Sequence, residues 1–218
     1  MPTFTIGEAV RFGWRTTTSN LKFFIPLMLI VGVLFVLPSY LSNALTDQSA
    51  GLGFLIGVVS WVLQIGLTLG LIAVALKVHD NQVPPLSEVF NHFGHFFTYF
   101  GASLLYGLIM LAGIILLVVP AFVWALKYSQ FAYFIVDKDM GPMDALHQSG
   151  VVTKGAKWRL FGLGLSLMLI NLAGALVFLV GLLVTVPMTM LAYVYVYRKL
   201  SAGSIEPGLA SAPSSLAS

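Results

Sequence analysis

The stretch FFTYFGASLLYGLIMLAGIILLVVPAFVWALKYSQFAYFIVD, from Phe96 to Asp137, runs for 42 residues without a loop-like interruption, and Lys127 is its one charged residue before the terminal Asp137. At about 1.5 Å per residue a single helix of this length would be roughly twice as long as a bilayer's hydrocarbon core is thick, so the stretch must fold back on itself. Pro120 marks the predicted turn, because it removes a backbone donor and disfavours helix at Val119. The block from Trp158 to Leu200 has nearly the same length and follows the same logic, with Gly181 and Pro187 at its reversal. Two further apolar blocks lie upstream. The reading is an all-α membrane protein with six transmembrane helices, at about 21–41, 53–78, 97–118, 121–137, 159–180 and 184–199.

The basic residues give this threading a direction. Arg11, Arg15 and Lys22 precede the first span, Lys77 follows the second, Lys138, Lys154, Lys157 and Arg159 separate the fourth from the fifth, and Arg198 and Lys199 end the sixth. The turns around Thr46–Gly51, Pro120 and Gly181–Val184 hold none. The positive-inside rule therefore puts both termini in the cytoplasm. Composition agrees: 58% apolar residues, 9% charged and a mean hydropathy of +0.94 lie far from the averages of a water-soluble domain. The first apolar block is too long for a signal peptide and has no small-residue cleavage site behind it. Residues 1–200 read as one membrane domain. Residues 201–218, rich in Ser, Ala, Gly and Pro, read as a disordered cytoplasmic tail.

A short stretch carrying an acidic residue precedes each pair of spans, which predicts a threefold repeat of interfacial helix plus hairpin. The units begin at Glu8-Ala9, Glu88-Val89 and Asp144-Ala145. Thr5 to Glu8 has capping-box spacing, and Pro and an early acid open the other two. In the second unit Leu86, Val89, Phe90, Phe93 and Phe97 recur at helical spacing, with Glu88, Asn91, His92 and His95 opposite, as expected of an amphipathic helix lying on the cytoplasmic leaflet. In the first, Ile6, Val10 and Trp14 form the stripe, with Glu8, Arg11 and Arg15 on its polar side. Gly53, Gly57, Gly66 and Gly70 form two Gly-xxx-Gly pairs in the second span, suited to close approach of another element, within the bundle or from a second copy.

Lys127 is the one ionisable residue deep in a predicted span, and no carboxylate shares the membrane with it. Intramembrane charges mark functional sites by default. Gln130 lies a turn away on the same face, and Gln64 and Asn171 fall near the middles of spans two and five, so these residues are candidates for one polar midplane site. The alternative is structural: Lys127 snorkels or bonds to backbone carbonyls, while Gln64 and Asn171 join helices to one another. At the border, Lys154, Lys157 and Arg159 are placed to meet lipid phosphates, with Trp158 anchoring at headgroup depth.

Other chemistries find little support. The chain has no cysteine. His92 and His95 have no third ligand spaced to complete a metal site, and no nucleotide fingerprint is present, so no cofactor is expected. Ser103, Ser129 and Ser166 have only Lys127 as a base within the spans, and enzyme activity is not expected. The basic residues are dispersed along membrane borders, which argues for lipid and other membrane proteins as partners, self-association included, and against nucleic acid.

The run Pro120-Ala121-Phe122-Val123-Trp124-Ala125-Leu126-Lys127-Tyr128-Ser129, followed by Asp137, Asp144-Ala145-Leu146, Ser149, Thr153-Lys154-Gly155 and Trp158-Arg159-Leu160-Phe161, resembles the YciC-like integral membrane families of bacteria. These are uncharacterised and related in pattern to the membrane domain attached to some glycerophosphodiester phosphodiesterases. Gly181 to Pro187 and Tyr197-Arg198 extend the resemblance, which covers roughly residues 84–200. It implies a multi-pass inner-membrane protein without an established activity and supplies no catalytic residues. The Gly-rich second span and the cytoplasmic amphipathic faces point to a non-enzymatic protein in envelope organisation or an accessory to other membrane proteins. A small transporter or channel for a lipid or anionic solute, using the Lys127 midplane site, is the alternative.

Overall fold

The computed structural model describes residues 4–46, 49–116, 118–177 and 180–202. Its described residues form helices α1 (Ile6–Ser19), α2 (Leu21–Thr46), α3 (Ala50–His79), α4 (Phe96–Leu116), α5 (Val118–Lys127), α6 (Phe131–Lys138), α7 (Pro142–Val152), α8 (Lys157–Leu176) and α9 (Leu182–Ser201). The tail beyond 202 lies outside them.

Among the described residues four segments are long and apolar enough to cross a membrane: Leu21–Ala44, Gly51–His79, Leu86–Leu116 and Lys157–Leu176. The other two predicted spans fall outside this set. In α9 the threonines, the tyrosines and Arg198-Lys199 dilute the apolar content. The predicted span 121–137 is not one helix, because the chain breaks at Tyr128–Gln130 into ten-residue α5 and eight-residue α6. Pro120 sits in the first turn of α5, where its missing N–H costs nothing.

Small residues set the helix pairings. Gly113 of α4 is seated against Ala121 and Trp124 of α5, which closes that hairpin. Gly174 of α8 packs on Gly181 and on Thr185 of α9 and closes the other. Pro187 is buried inside α9, beyond the reversal expected there.

Of the two clearest amphipathic segments, the first forms its expected helix and the second does not. In α1 the capping box forms as predicted, Thr5 Oγ1 accepting from Glu8 N–H at 3.2 Å and Glu8 Oε2 accepting from Thr5 N–H at 3.2 Å. Its buried face, however, is Ala9, Gly13 and Thr17, with Gly13 pressed on the Met188 carbonyl of α9, and the stripe residue Trp14 is 51% exposed. Backbone approach to α9 outweighs the larger apolar side chains, because only the small face lets the two helices come close. The second unit is not an α-helix. It forms two 3-10 turns, Leu86–Phe90 and Phe93–His95, running back along α3. Gly70 takes the Val89 backbone and Gly66 takes the Phe93 ring, so this glycine pair serves a contact within the chain. Glu88, expected on an exposed face, is buried.

The core gathers where α3, α6 and α9 end. Tyr197 is fully buried against Phe134 and Tyr133, and Ile135, Leu163, Leu167, Leu191, Val194 and Val196 are sealed around it. Toward the opposite ends of α2, α3, α4 and α8 large apolar side chains are exposed, Phe54, Ile115 and Leu176 among them. Helices that expose such apolar faces are suited to lipid contact.

Candidate functional site

The break between α5 and α6 exposes backbone groups that a continuous helix would pair, and α7 supplies the missing partners. Ser149 Oγ accepts from the Gln130 N–H at 3.1 Å and donates to the Lys127 carbonyl at 3.0 Å. Thr153 Oγ1 lies 2.9 Å from the same carbonyl and 2.7 Å from the Ser149 carbonyl of its own helix, and shares its proton between them. One hydroxyl thus bridges both sides of the interruption. Gln130 is wholly buried; its Nε2 donates to Ser129 Oγ at 3.3 Å and its Oε1 has no partner among the described residues. Lys127 lies along α7, where a Cβ added at Gly150 would stand 2.8 Å from its Cε, and its Nζ sits 4.8 Å from the Tyr128 ring centroid.

Ser149 thus meets the backbone groups of both Lys127 and Gln130, but the helix on whose one face their side chains were expected is broken between them. The hydrogen bonds of the other two midplane candidates run elsewhere. Gln64 Nε2 reaches Ser39 Oγ of α2 at 3.5 Å. Asn171 Nδ2 donates to Thr189 Oγ1 of α9 at 2.7 Å and to the Leu167 carbonyl at 3.0 Å. Each fastens a helix pair, the role expected of amides between apolar helices.

At the border segment Trp158 is 81% exposed and meets Phe161 edge-on at 6.4 Å, while Phe161 meets Phe122 at 5.1 Å. Lys154 and Arg159 are exposed and Lys157 is half-buried. This arrangement of projecting indole and flanking cations suits a membrane interface.

A second polar cluster joins the span-border residues Asp137 and Arg198 to Asp80, which the sequence reading did not single out. Arg198 Nη1 lies 2.9 Å from Asp137 Oδ1 and its Nη2 lies 2.6 Å from Asp80 Oδ2, so one guanidinium ties the ends of α3, α6 and α9. Tyr197 OH donates to Asp137 Oδ2 at 2.7 Å. Beside this clasp Lys77 Nζ meets the buried Glu88 at 2.7 Å, and His92 Nδ1 lies 3.7 Å from the same carboxylate. His92 and His95 stack on each other at 6.0 Å, and His95 Nδ1 lies 3.3 Å from Asp139. Among the described residues no group of three or more His, Cys, Asp or Glu is placed to hold a metal ion. A signal for the clasp existed in the sequence, since Asp80, Asp137 and Arg198 all border spans on one predicted side.

Comparison with known proteins yields relatives without assigned activity. The family described as "Protein of unknown function (DUF975)" matches residues 108–204, the part that holds the α5–α6 break, α7 and Arg198. Uncharacterized protein Rv2560 of Mycobacterium tuberculosis is 25% identical over 249 aligned residues, covering 96% of this chain and 73% of the relative. Uncharacterized protein Mb2590 of Mycobacterium bovis is similar to the same degree, with the same coverage. No solved structure matches.

Proposed function

We propose that the chain is a six-span protein of the bacterial inner membrane with both termini in the cytoplasm, and that it acts without catalysis, in envelope organisation or as an accessory to other membrane proteins. One observation carries this reading: the polar side chains inside the bundle fasten its own helices, while its broad exposed surfaces along α2, α3, α4 and α8 are apolar. Such a body presents lipid and protein contacts rather than a lined passage. The absence of cysteine makes a topology test clean. With a membrane-impermeant maleimide on intact cells, Gly51→Cys and Val180→Cys are expected to react, and Lys154→Cys and Asp139→Cys only after permeabilisation. The inverse pattern overturns the topology. Gentle extraction is expected to retain a defined membrane protein in fixed ratio, and a monodisperse monomer without one counts against the accessory role.

A second reading rests on the interrupted helix. Discontinuous helices with a buried polar residue at the break are how transporters build solute sites, and Gln130 Oε1, buried at the α5–α6 break without a partner among the described residues, has that form. Lys127→Leu separates the two: loss of solute or lipid movement with intact folding favours transport, and unchanged physiology with equal or higher stability removes it.

A further inference from the structure

Among the described residues the lysine and arginine ion pairs involve Lys77, Lys138 and Arg198, and none includes Lys127, Lys154, Lys157 or Arg159. The sequence reading placed Lys127 deep in a span, apart from the other three. The structure brings it to the turn between α7 and α8 that carries them. Its carbonyl accepts from Thr153, the residue before Lys154. Its side chain lies along α7 at Gly150, four residues before Lys154, where an added Cβ would stand 3.7 Å from Nζ. A separate contact agrees: Phe122, five residues before Lys127 on α5, meets Phe161, four residues after Lys157 on α8, at 5.1 Å.

Carboxylates on the neighbouring elements do not cancel this charge. Glu8 of α1 caps its own helix, and Asp144 stands in the first turn of α7, at the end away from Gly150. Lys127 and Lys157 are half-buried and Lys154 is exposed, so the charges can meet a ligand from outside. The surface beside them is aromatic. Trp158 projects from it, Phe161 meets Trp158 edge-on, and exposed Phe122 follows. Cations at a turn with an indole and two phenyl rings leading away from it match a phospholipid, whose phosphate stays at the membrane border while its chain runs inward.

We infer that the α7–α8 turn is a headgroup site for an anionic phospholipid, with Lys127, Lys154 and Lys157 around the phosphate and an acyl chain along Trp158, Phe161 and Phe122. Gly150 is a positioning residue, because its missing side chain leaves the space that the Lys127 stem occupies. The inference rests on the membrane embedding proposed above.

The test uses the full chain in phosphatidylcholine nanodiscs doped with phosphatidylglycerol that carries a diazirine on its acyl chain, with a matched phosphatidylcholine probe as the second arm. The phosphatidylglycerol probe is expected to label the peptide containing Trp158–Phe161 about tenfold more than the phosphatidylcholine probe, the ratio that one charge-assisted contact supplies. Lys127→Gln, Lys154→Gln and Gly150→Ala are each expected to lower that ratio with unchanged elution and helicity, and the Lys127→Gln, Lys154→Gln double variant to abolish it. Arg15→Gln removes an exposed cation of α1 and is expected to leave the ratio as it is. Equal labelling by the two probes, indifference to Lys154→Gln and Gly150→Ala, or an equal fall with Arg15→Gln overturns the site. Displacement of the probe by excess inorganic phosphate would assign the turn to free phosphate and overturn the lipid. Label on the exposed apolar faces of α2 and α8 alone would overturn the site and leave the embedding intact, whereas failure to reach any of those faces would overturn the embedding itself.

Discussion

Ser149 illustrates how much one hydroxyl can do where a helix is interrupted. Its Oγ accepts from one side of the α5–α6 break and donates to the other, and the Gln130 N–H loses this acceptor once it is gone. The Lys127 carbonyl keeps Thr153. A buried donor left unpaired costs about 1–3 kcal/mol, so Ser149→Ala is expected to lower unfolding stability by that amount in a denaturant titration of the reconstituted protein. Ser166 is the control. Among the described residues its hydroxyl bonds to the Gly162 carbonyl of its own helix, a back-bond that contributes little, and Ser166→Ala is expected to shift stability by less than about 0.5 kcal/mol. Equal effects of the two substitutions would remove the bridging role of Ser149.

Pairing between elements turns on whether a glycine faces a backbone. Gly13 of α1 meets the Met188 carbonyl and Ala192 nitrogen of α9, neither of which can move independently of its helix. Gly7, two turns earlier, has open space around it. Gly7→Ala is therefore expected to raise stability by up to about 1 kcal/mol through helix propensity alone. Gly13→Ala should lower it by about 1–3 kcal/mol, as overpacking forces α1 away. Thermal unfolding followed by circular dichroism distinguishes these opposite signs. The same reasoning explains why the Leu86–Phe93 segment departs from its predicted helix. Helical spacing of its apolar residues was legible, but the grooves at Gly66 and Gly70 reward a backbone that lies close, and a 3-10 path fits Val89 and Phe93 into them.

For the whole molecule, Arg198 is the joint on which three elements, α3, α6 and α9, converge. Asp137 is largely buried beside it, and Asp80 is more exposed. Removing the guanidinium strands the Asp137 carboxylate, and breaking such a pair from one side costs about 3–5 kcal/mol when both groups are buried. With Arg198 a quarter exposed, Arg198→Leu is expected to cost about 2–3 kcal/mol, and the Asp137→Asn, Arg198→Leu double variant to recover part of that loss. A double-mutant cycle on unfolding free energy measures the coupling, and additivity of the two single effects would show that the clasp ties nothing together.

The long apolar blocks, the hairpins they must form and the capping box at Thr5–Glu8 were determined by the sequence, because segment length, apolar content and cap spacing act locally and need no knowledge of neighbours. The nearness of Lys127 to Gln130 along the backbone was equally local. Tertiary structure decided the rest: the break at Tyr128–Gln130, its repair by Ser149 and Thr153, the separate anchoring of Gln64 and Asn171, and the meeting of Asp80, Asp137 and Arg198. Residues 80, 137 and 198 are far apart along the chain, and their pairing depends on which helix ends come together. That choice follows from where backbones can approach at Gly13, Gly70, Gly113 and Gly174, a property of surfaces in contact that no single segment carries alone.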